Sequence, residues 1–221
     1  MIKGQKLPGT PEPMHMWPGA RGINIAADSW GDPQGPLVLL QHGGGQTRHA
    51  WKRTGECLGD AGYLAAAFDA RGHGDSDWAP DGVYGPDVMV EDLLGVIAHL
   101  GRQSAALVGA SMGGVTSLIA AGEGKVGALA LVLVDIAPRI EIPGLRKIQN
   151  FMAQKPEGFD SLEEVAQAIA SYQPHRSARQ VSESVAKNVR LGANGKYHWH
   201  WDPRYRASGL TPEKRLGACR T

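Results

Sequence analysis

The segment Gly109-Ala110-Ser111-Met112-Gly113-Gly114 restricts the fold of this chain more than any other feature. It lies between an apolar run typical of a strand, Ala105–Gly109, and a helical segment, Met112–Ala121. In that context a G-x-S-x-G pattern is typical of a sharp turn that holds a serine hydroxyl above the carboxyl edge of a sheet. The glycines relieve Cβ clashes in the crowded turn. An incidental serine in a glycine-rich turn is the weaker interpretation, so Ser111 is the candidate nucleophile.

Strand-like and helical segments alternate along the first 135 residues. The predicted strands are Ile23–Ser29, Leu37–Gln41, Tyr63–Phe68, Ala105–Gly109 and Ala128–Asp135, and the predicted helices are Thr47–Ala61, the segment from Pro86 to Leu100, and Met112–Ala121. Repeated strand–helix–strand order is typical of an α/β fold with a parallel sheet between helices. The last predicted strand is apolar at nearly every position, which predicts burial on both faces.

After Asp135 the pattern becomes helical. Three helices are predicted, over Pro143–Gln154, Ser161–Tyr172 and Ser177–Lys187. Residues 188–201 fit either a small hairpin across Asn194-Gly195 or an extension of the third helix that stops at Gly192. We therefore expect a core over residues 1–137, a helical cap over 138–208, and the start of a return to the core over 209–221.

Charge and composition limit the partners and the compartment. Lys and Arg total 23 against 22 Asp and Glu, and this near-neutral balance gives no support for nucleic acid or an anionic membrane as a partner. The two cysteines, Cys57 and Cys219, are too few for a disulfide framework. Residues 1–20 show no signal-peptide pattern, and no apolar run approaches the roughly 20 residues that span a bilayer. We expect a cytoplasmic protein.

A second glycine-rich segment, His42-Gly43-Gly44-Gly45, follows another apolar strand. A backbone N–H in such a loop can stabilise a developing oxyanion together with the N–H of the residue after the nucleophile, which assigns the two donors to Gly44 and Met112. A nucleotide-phosphate loop is excluded because Arg48 occupies the position of the third glycine. No cofactor is predicted. His42 is interpreted as a residue that holds the loop and as a candidate for the substrate pocket.

Three segments together resemble a known family: His42-Gly43, then Asp69-Ala70-Arg71-Gly72-His73-Gly74-Asp75-Ser76, then Gly109 to Gly114. Their order and spacing, over about residues 20 to 205, resemble the serine-dependent α/β-hydrolase superfamily. The closest likeness is to its capped branch of esterases, C–C bond hydrolases, lactonases and cofactor-free haloperoxidase-like enzymes. This resemblance implies an α/β-hydrolase fold with a mostly parallel sheet, flanking helices and a helical cap.

The resemblance also implies particular residue roles. Asp69 and Arg71 would brace their loop as a pair. Ser111 separates this chain from epoxide hydrolases and haloalkane dehalogenases, which carry Asp at this position of the turn between strand and helix, called the elbow. Two further strands would follow the cap, with the catalytic acid after the first and the histidine after the second. The chain stops at Thr221, before both, so we expect a C-terminally truncated fold with an incomplete triad.

A serine nucleophile needs a base and an acid that orients it. Asp135 is the candidate acid because it ends a strand at the carboxyl edge, and bracing the cap entrance through Pro138-Arg139 is the alternative. His175, His198 and His200 follow Ser111 and are candidate bases, or simply cap residues. His198 and His200 share one face of a possible strand, but no third ligand accompanies them, so no metal is predicted.

Two functions are open at this stage. The first is a hydrolase that cleaves a small-molecule carboxylic ester, lactone or related acyl bond through an acyl-serine intermediate, with Phe151 and Trp199 as candidate pocket walls or cap core. The second is a truncated or pseudoenzyme member that binds a small apolar ligand with little or no turnover. Without later strands, Ala128–Asp135 would be an exposed apolar edge, which predicts either poor solubility or pairing of two copies as a homodimer.

Overall fold

The computed structural model of the chain describes residues 3–136, 142–172 and 185–207. Within these residues, six strands form one sheet in the order β1-β2-β4-β3-β5-β6. Their bounds are β1 His15–Pro18, β2 Asn24–Trp30, β3 Leu37–Gln41, β4 Leu64–Phe68, β5 Ser104–Ala110 and β6 Gly127–Val134. β3, β4, β5 and β6 pair in parallel, while β1 and β2 join the sheet antiparallel. The predicted α/β class with a mostly parallel sheet is confirmed.

Helices cover both faces of the sheet. Their bounds are α1 Lys52–Asp60, α2 Pro86–His99 and α3 Met112–Gly122, with short 3-10 turns at Ala20–Gly22 and Arg48–Trp51. α2 and α3 bury residues such as Leu93 and Ile119 against Leu39 and Leu107 on one face. The other face, around Leu40, packs against side chains near α1. Each fully buried leucine contributes about 1.5–3 kcal/mol, so both faces of the central strands stabilise the sheet.

The register of the parallel strands brings four loops to one edge. Gln41 lies opposite both Phe68 and Gly109, and Ala110 lies opposite Val134. Because these strands run in the same direction, the residues that follow them meet at the carboxyl edge of the sheet. Those residues are His42, Asp69, Ser111 and Asp135.

The strand β6 differs from its prediction. It lies at the end of the strand order among the described residues, and Leu129 and Val132 are 66% and 48% exposed. Burial on both faces was therefore a wrong expectation, because β5 is the one partner strand of β6 among the described residues and β6 forms the edge of the sheet there. The exposed edge itself is as expected, and pairing of two copies through it stays a prediction.

Two helices and a hairpin follow β6. They are α4 Ile142–Met152, α5 Leu162–Tyr172, the hairpin of β7 Val189–Leu191 and β8 Tyr197–Trp199, and the single turn α6 Arg204–Ala207. We call residues 142–172 and 185–207 the cap segment. The hairpin across Asn194-Gly195 was the first of the two interpretations. Most of the third predicted helix, Ser177–Lys187, lies outside the described residues, as do Pro138-Arg139 and residues 209–221.

The cap segment is bonded to the core by polar contacts. The Arg190 guanidinium on β7 donates to the carbonyl of Gly74 at 2.9 Å and to the Asp75 carboxylate at 2.8 Å. Gln5, from the N-terminal segment, pairs with Leu191 through two backbone hydrogen bonds of 2.8 Å. In the part of the chain that the structure describes, no helix is long and apolar enough to cross a membrane.

Candidate active site

Ser111 occupies a strained turn between β5 and α3. Its φ of 45° and ψ of −108° fall outside the regions that non-glycine residues ordinarily adopt. The Ser111 N–H donates to the carbonyl of Val134 at 3.0 Å, and its carbonyl accepts from the N–H of Val115 at 2.9 Å. The turn is thus held by the neighbouring strand on one side and by the first turn of the helix on the other.

The glycines around Ser111 are required by close backbone contacts. A Cβ on Gly113 would lie 2.5 Å from the Gln41 Cβ, and one on Gly109 would lie 2.5 Å from the carbonyl carbon of Gly113. Neither distance is tolerable for a real Cβ atom. The G-x-S-x-G spacing therefore reflects how closely α3 approaches β3 and β5.

The Gly43–Gly45 loop lies beside the elbow. The N–H of Gly113 donates to the His42 carbonyl at 3.2 Å, and a Cβ on Gly43 would lie 3.5 Å from the Ser111 Cβ. The Gly43 N–H donates to the Gln46 side chain at 3.0 Å, and the Gly45 N–H donates to His73 Nε2 at 3.2 Å. Among the described residues, none accepts a hydrogen bond from Gly44 N–H, the middle amide of the loop.

Met112 supplies the second predicted donor. It is the first residue of α3, where backbone N–H groups have no intrahelical acceptor and the helix dipole favours negative charge. Its side chain is 6% exposed and faces the cap segment. The structure therefore places Gly44 on the loop beside Ser111 and Met112 at the start of α3, directly after Ser111.

Three buried histidines hold these loops together. His42 accepts from the N–H of Ala70 at 2.9 Å and donates to the carbonyl of Gly43 at 2.8 Å. His73 accepts from Gly45 and donates to the carbonyl of Arg71 at 3.1 Å. His200 accepts from the N–H of Gly74 at 2.8 Å and donates to the carbonyl of Gly45 at 3.3 Å. Each ring thus uses both of its nitrogens in hydrogen bonds with backbone groups, and these bonds fix the neutral tautomer of each histidine.

Burial keeps these three rings uncharged. It lowers the pKa of His42 and of His200, and it lowers the pKa of His73 to about 3, with the neighbouring His42 acting in the same direction. His42 is 1% exposed and fulfils its predicted loop-holding role, while its role in a substrate pocket stays a prediction. His200 is not placed as a base for Ser111, because neither of its nitrogens is available.

The structure shows no hydrogen bond between Ser111 and the other candidate triad partners that it describes. His198 contacts the Asn194 side chain at 3.2 Å within the cap hairpin, and His175 lies outside the described residues. Asp135 is exposed at the end of β6, next in register to Ser111. Among the described residues, no side chain hydrogen-bonds to the Ser111 hydroxyl. The structure therefore brings together Ser111, Gly44 and Met112, and the described residues place no base beside them.

The predicted pairing of Asp69 with Arg71 is wrong, because each braces the loop through another partner. Asp69 pairs with Arg48 at 2.7 Å, and both side chains are fully buried. Arg71 instead makes two hydrogen bonds of 2.6 and 2.7 Å to the carboxylate of Asp92 on α2. The pairing that the resemblance implied missed the real partners because Arg48 and Asp92 lie far along the chain from this loop.

Apolar cap side chains lie directly over the glycine loop. A Cβ on Gly45 would be 3.4 Å from the Trp201 ring and 3.7 Å from the Met152 methyl group. Trp201 stacks on Trp199, with ring centroids 4.9 Å apart, and Phe151 lies 5.2 Å from Trp199. Phe151 and Trp199 thus belong to the aromatic cluster of the cap segment, and a wall function for them stays a prediction.

Sequence reasoning missed Tyr205, whose hydroxyl lies near both residues that carry the predicted oxyanion donors. Its hydroxyl is 3.0 Å from Met112 Sδ and 3.5 Å from the position of a Cβ on Gly44. No local pattern marks this residue, since its neighbours in space come from two distant loops. The only available signal was its place after Trp201-Asp202-Pro203, at the end of the predicted cap.

Comparison with known proteins gives consistent results. Residues 36–202 match the profile of a family described as the alpha/beta hydrolase fold. An esterase of Mycobacterium tuberculosis is 31% identical over 183 residues, covering 80% of this chain and 60% of the esterase. Epoxide hydrolase A of the same organism is 31% identical over 144 residues, covering 62% of this chain and 43% of that protein. The chain thus spans about 60% or less of the length of these two relatives.

Solved structures show the same fold. The crystal structure of an alpha/beta hydrolase from Novosphingobium aromaticivorans superposes with a TM-score of 0.75 at 22% identity, covering 99% of this chain and 78% of the other.

Proposed function

Because the chain belongs to the α/β-hydrolase fold family, we propose that it is a serine hydrolase that cleaves a carboxylic ester, lactone or related acyl bond at Ser111. One observation carries the proposal: Ser111 stands on a strained turn at the start of α3, beside the glycine loop in which no described residue accepts a hydrogen bond from the N–H of Gly44. The esterase relative supports the ester class, and the apolar cap side chains support an apolar acyl group.

In the proposed reaction the Ser111 Oγ attacks the acyl carbon of the substrate. A C–O bond forms, the carbonyl π electrons move to the oxygen, and the N–H groups of Gly44 and Met112 stabilise that oxyanion. The tetrahedral intermediate then expels the alcohol and leaves an acyl-serine, which water hydrolyses. The hydroxyl proton passes to an imidazole base and from it to the departing alcohol. Of the candidate bases, His200 has both nitrogens bonded to backbone groups, so His175 and His198 remain.

A second candidate function follows from the histidines. Those nearest the elbow are held neutral with both nitrogens bonded to backbone groups, and no described histidine contacts the Ser111 hydroxyl. This arrangement favours a member of the family that binds a small apolar ligand under the cap segment and turns over little or no substrate. The two candidates differ in whether Ser111 is activated.

Hydrolysis of p-nitrophenyl acetate and butyrate by the chain separates them. Ser111→Ala should abolish turnover, while Ser104→Ala should leave it unchanged, because Ser104 lies at the opposite end of β5. Turnover by Ser111→Ala equal to that by the wild-type chain would contradict the proposal. A folded chain that binds butyrate but shows no Ser111-dependent turnover would favour the second candidate.

A further inference from the structure

Tyr205, on the short helix α6, reaches from the cap segment into the candidate oxyanion site. Its hydroxyl donates to Met112 Sδ at 3.0 Å and lies 3.5 Å from the position of a Cβ on Gly44. The side chain is 8% exposed, and its ring packs edge-on against His73 with centroids 4.7 Å apart. The hydroxyl thus lies beside both residues whose N–H groups are the predicted oxyanion donors.

Core contacts fix the position of this tyrosine. The N–H of Asp202 donates to the carbonyl of Gly72 at 2.8 Å, and the buried Asp202 carboxylate accepts from the Tyr84 hydroxyl. The N–H of Tyr205 in turn donates to the carbonyl of Asp202 at 3.0 Å. These bonds attach the start of α6 to the loop after β4. The hydroxyl of Tyr205 is therefore preorganised relative to Gly44, as a catalytic donor has to be.

The Met112 sulfur is a weak acceptor for this hydroxyl. A thioether sulfur accepts hydrogen bonds poorly, whereas an anionic oxygen accepts strong, charge-assisted ones. Exchanging Met112 Sδ for an oxyanion would gain free energy only when negative charge develops on the substrate. An interaction that strengthens in the transition state raises kcat and leaves substrate binding nearly unchanged.

We propose that the Tyr205 hydroxyl donates a third hydrogen bond to the oxyanion, beside the N–H groups of Gly44 and Met112. The inference rests on the proposed function, because it concerns the intermediate formed at Ser111. The phenolic proton stays on the tyrosine oxygen throughout, so no base or further reactant is involved. Tyr205 is thus a catalytic residue contributed by the cap segment.

The first test compares ester hydrolysis by the chain with that by Tyr205→Phe, which keeps the ring contacts with His73. We expect kcat to fall roughly 10- to 100-fold, with KM changed less than about threefold. Tyr63→Phe removes a hydroxyl near the amino end of β4, at the opposite edge of the sheet, and should have no effect. Unchanged kcat in a folded Tyr205→Phe protein would overturn the inference.

The second test does not require turnover and so separates this inference from the proposed function. Butyrate, the carboxylate product of the ester assay, is titrated into Ser111→Ala and into Ser111→Ala with Tyr205→Phe. Affinity that is roughly tenfold weaker in the double variant supports the third donor even where the wild-type chain shows no turnover. Equal affinities, or no butyrate binding by Ser111→Ala, would overturn it.

Discussion

Ser111 and Asp135 leave neighbouring parallel strands at matched positions, and both have positive φ angles, 45° and 55°. The Ser111 N–H is bonded to the carbonyl of Val134, the residue before Asp135. Burial, together with the Asp135 charge, raises the pKa of Tyr172 on α5, a helix of the cap segment. Both interpretations of Asp135, as an orienting acid or as a residue that braces the cap entrance, stay predictions. Strained backbone at two strand ends is typical of a functional edge.

The strain at Ser111 has a measurable consequence for stability. The free energy of unfolding of Ser111→Gly should be about 1 kcal/mol larger than that of Ser111→Ala. Glycine adopts this φ and ψ without the backbone strain of about 1–3 kcal/mol that alanine would carry. Both variants lack the hydroxyl and should be inactive. Urea unfolding of the two proteins measures the difference, and a less stable Ser111→Gly would argue against a strained elbow.

The close approach of α3 to β3 predicts opposite effects at two glycines of one helix. Gly113→Ala should destabilise the chain by about 3 kcal/mol or prevent folding, since its Cβ would overlap Gln41. Gly122→Ala is the matched control, because nothing lies within 4 Å of its Cβ, and it should stabilise by about 0.5–1 kcal/mol. Thermal unfolding checks both. Equal, small effects would mean that the helix is not packed as described.

Removing one member of the buried ion pair of Arg48 and Asp69 should strongly lower the free energy of unfolding. Arg48→Met leaves the Asp69 carboxylate buried without its partner, which costs about 3–5 kcal/mol. The exposed pair of Lys52 and Glu56, at 3.7 Å, provides the control, and Lys52→Met should not change stability measurably. Denaturant unfolding of both variants tests this. A mild effect of Arg48→Met would show that the Asp69 loop does not depend on that contact.

The neutral histidines predict loss of stability in mild acid. The pKa of His73 is lowered from 6.5 to about 3 in the folded chain, so between these values the unfolded chain binds the extra proton. The free energy of unfolding therefore falls as pH falls, by about 2 kcal/mol for His73 between pH 7.5 and 5. His42 and His200 act in the same direction.

Urea unfolding at several pH values checks this prediction. His73→Gln should lower stability at neutral pH but show a smaller loss on acidification than the wild-type chain. His99→Gln changes an exposed histidine on α2 and should keep the wild-type pH dependence. The same pH dependence in His73→Gln as in the wild type would show that burial does not suppress protonation of that ring.

Local steric requirements explain what the sequence could predict. The elbow was predictable because its residue types are required by local contacts. These contacts lie within one strand–turn–helix unit and with the adjacent strand β3, and they concern Gly109, Ser111 and Gly113. The cap hairpin was predictable in part because Asn194-Gly195 is a strong turn signal. β1, in contrast, was missed, since a four-residue edge strand carries no pattern until it pairs with β2.

Long-range contacts explain what the sequence could not predict. The loop after β4 is braced by Arg48 and by Asp92, and neither partner is specified by the spacing of Asp69 and Arg71. Likewise, the assembly of His42, His73 and His200 depends on how the cap segment meets two core loops. Tyr205 reaches the glycine loop for the same reason, so its position became visible only in the folded chain.

Intact mass after treatment with a fluorophosphonate tests the central claim most directly, because this reagent reports whether Ser111 is an activated nucleophile. The account predicts one adduct per folded chain, located on the peptide that contains Ser111, and none in Ser111→Ala. Ser104→Ala should label like the wild type. A folded chain without an adduct, or an adduct that persists in Ser111→Ala, would contradict the assignment of Ser111 as the acyl-accepting residue.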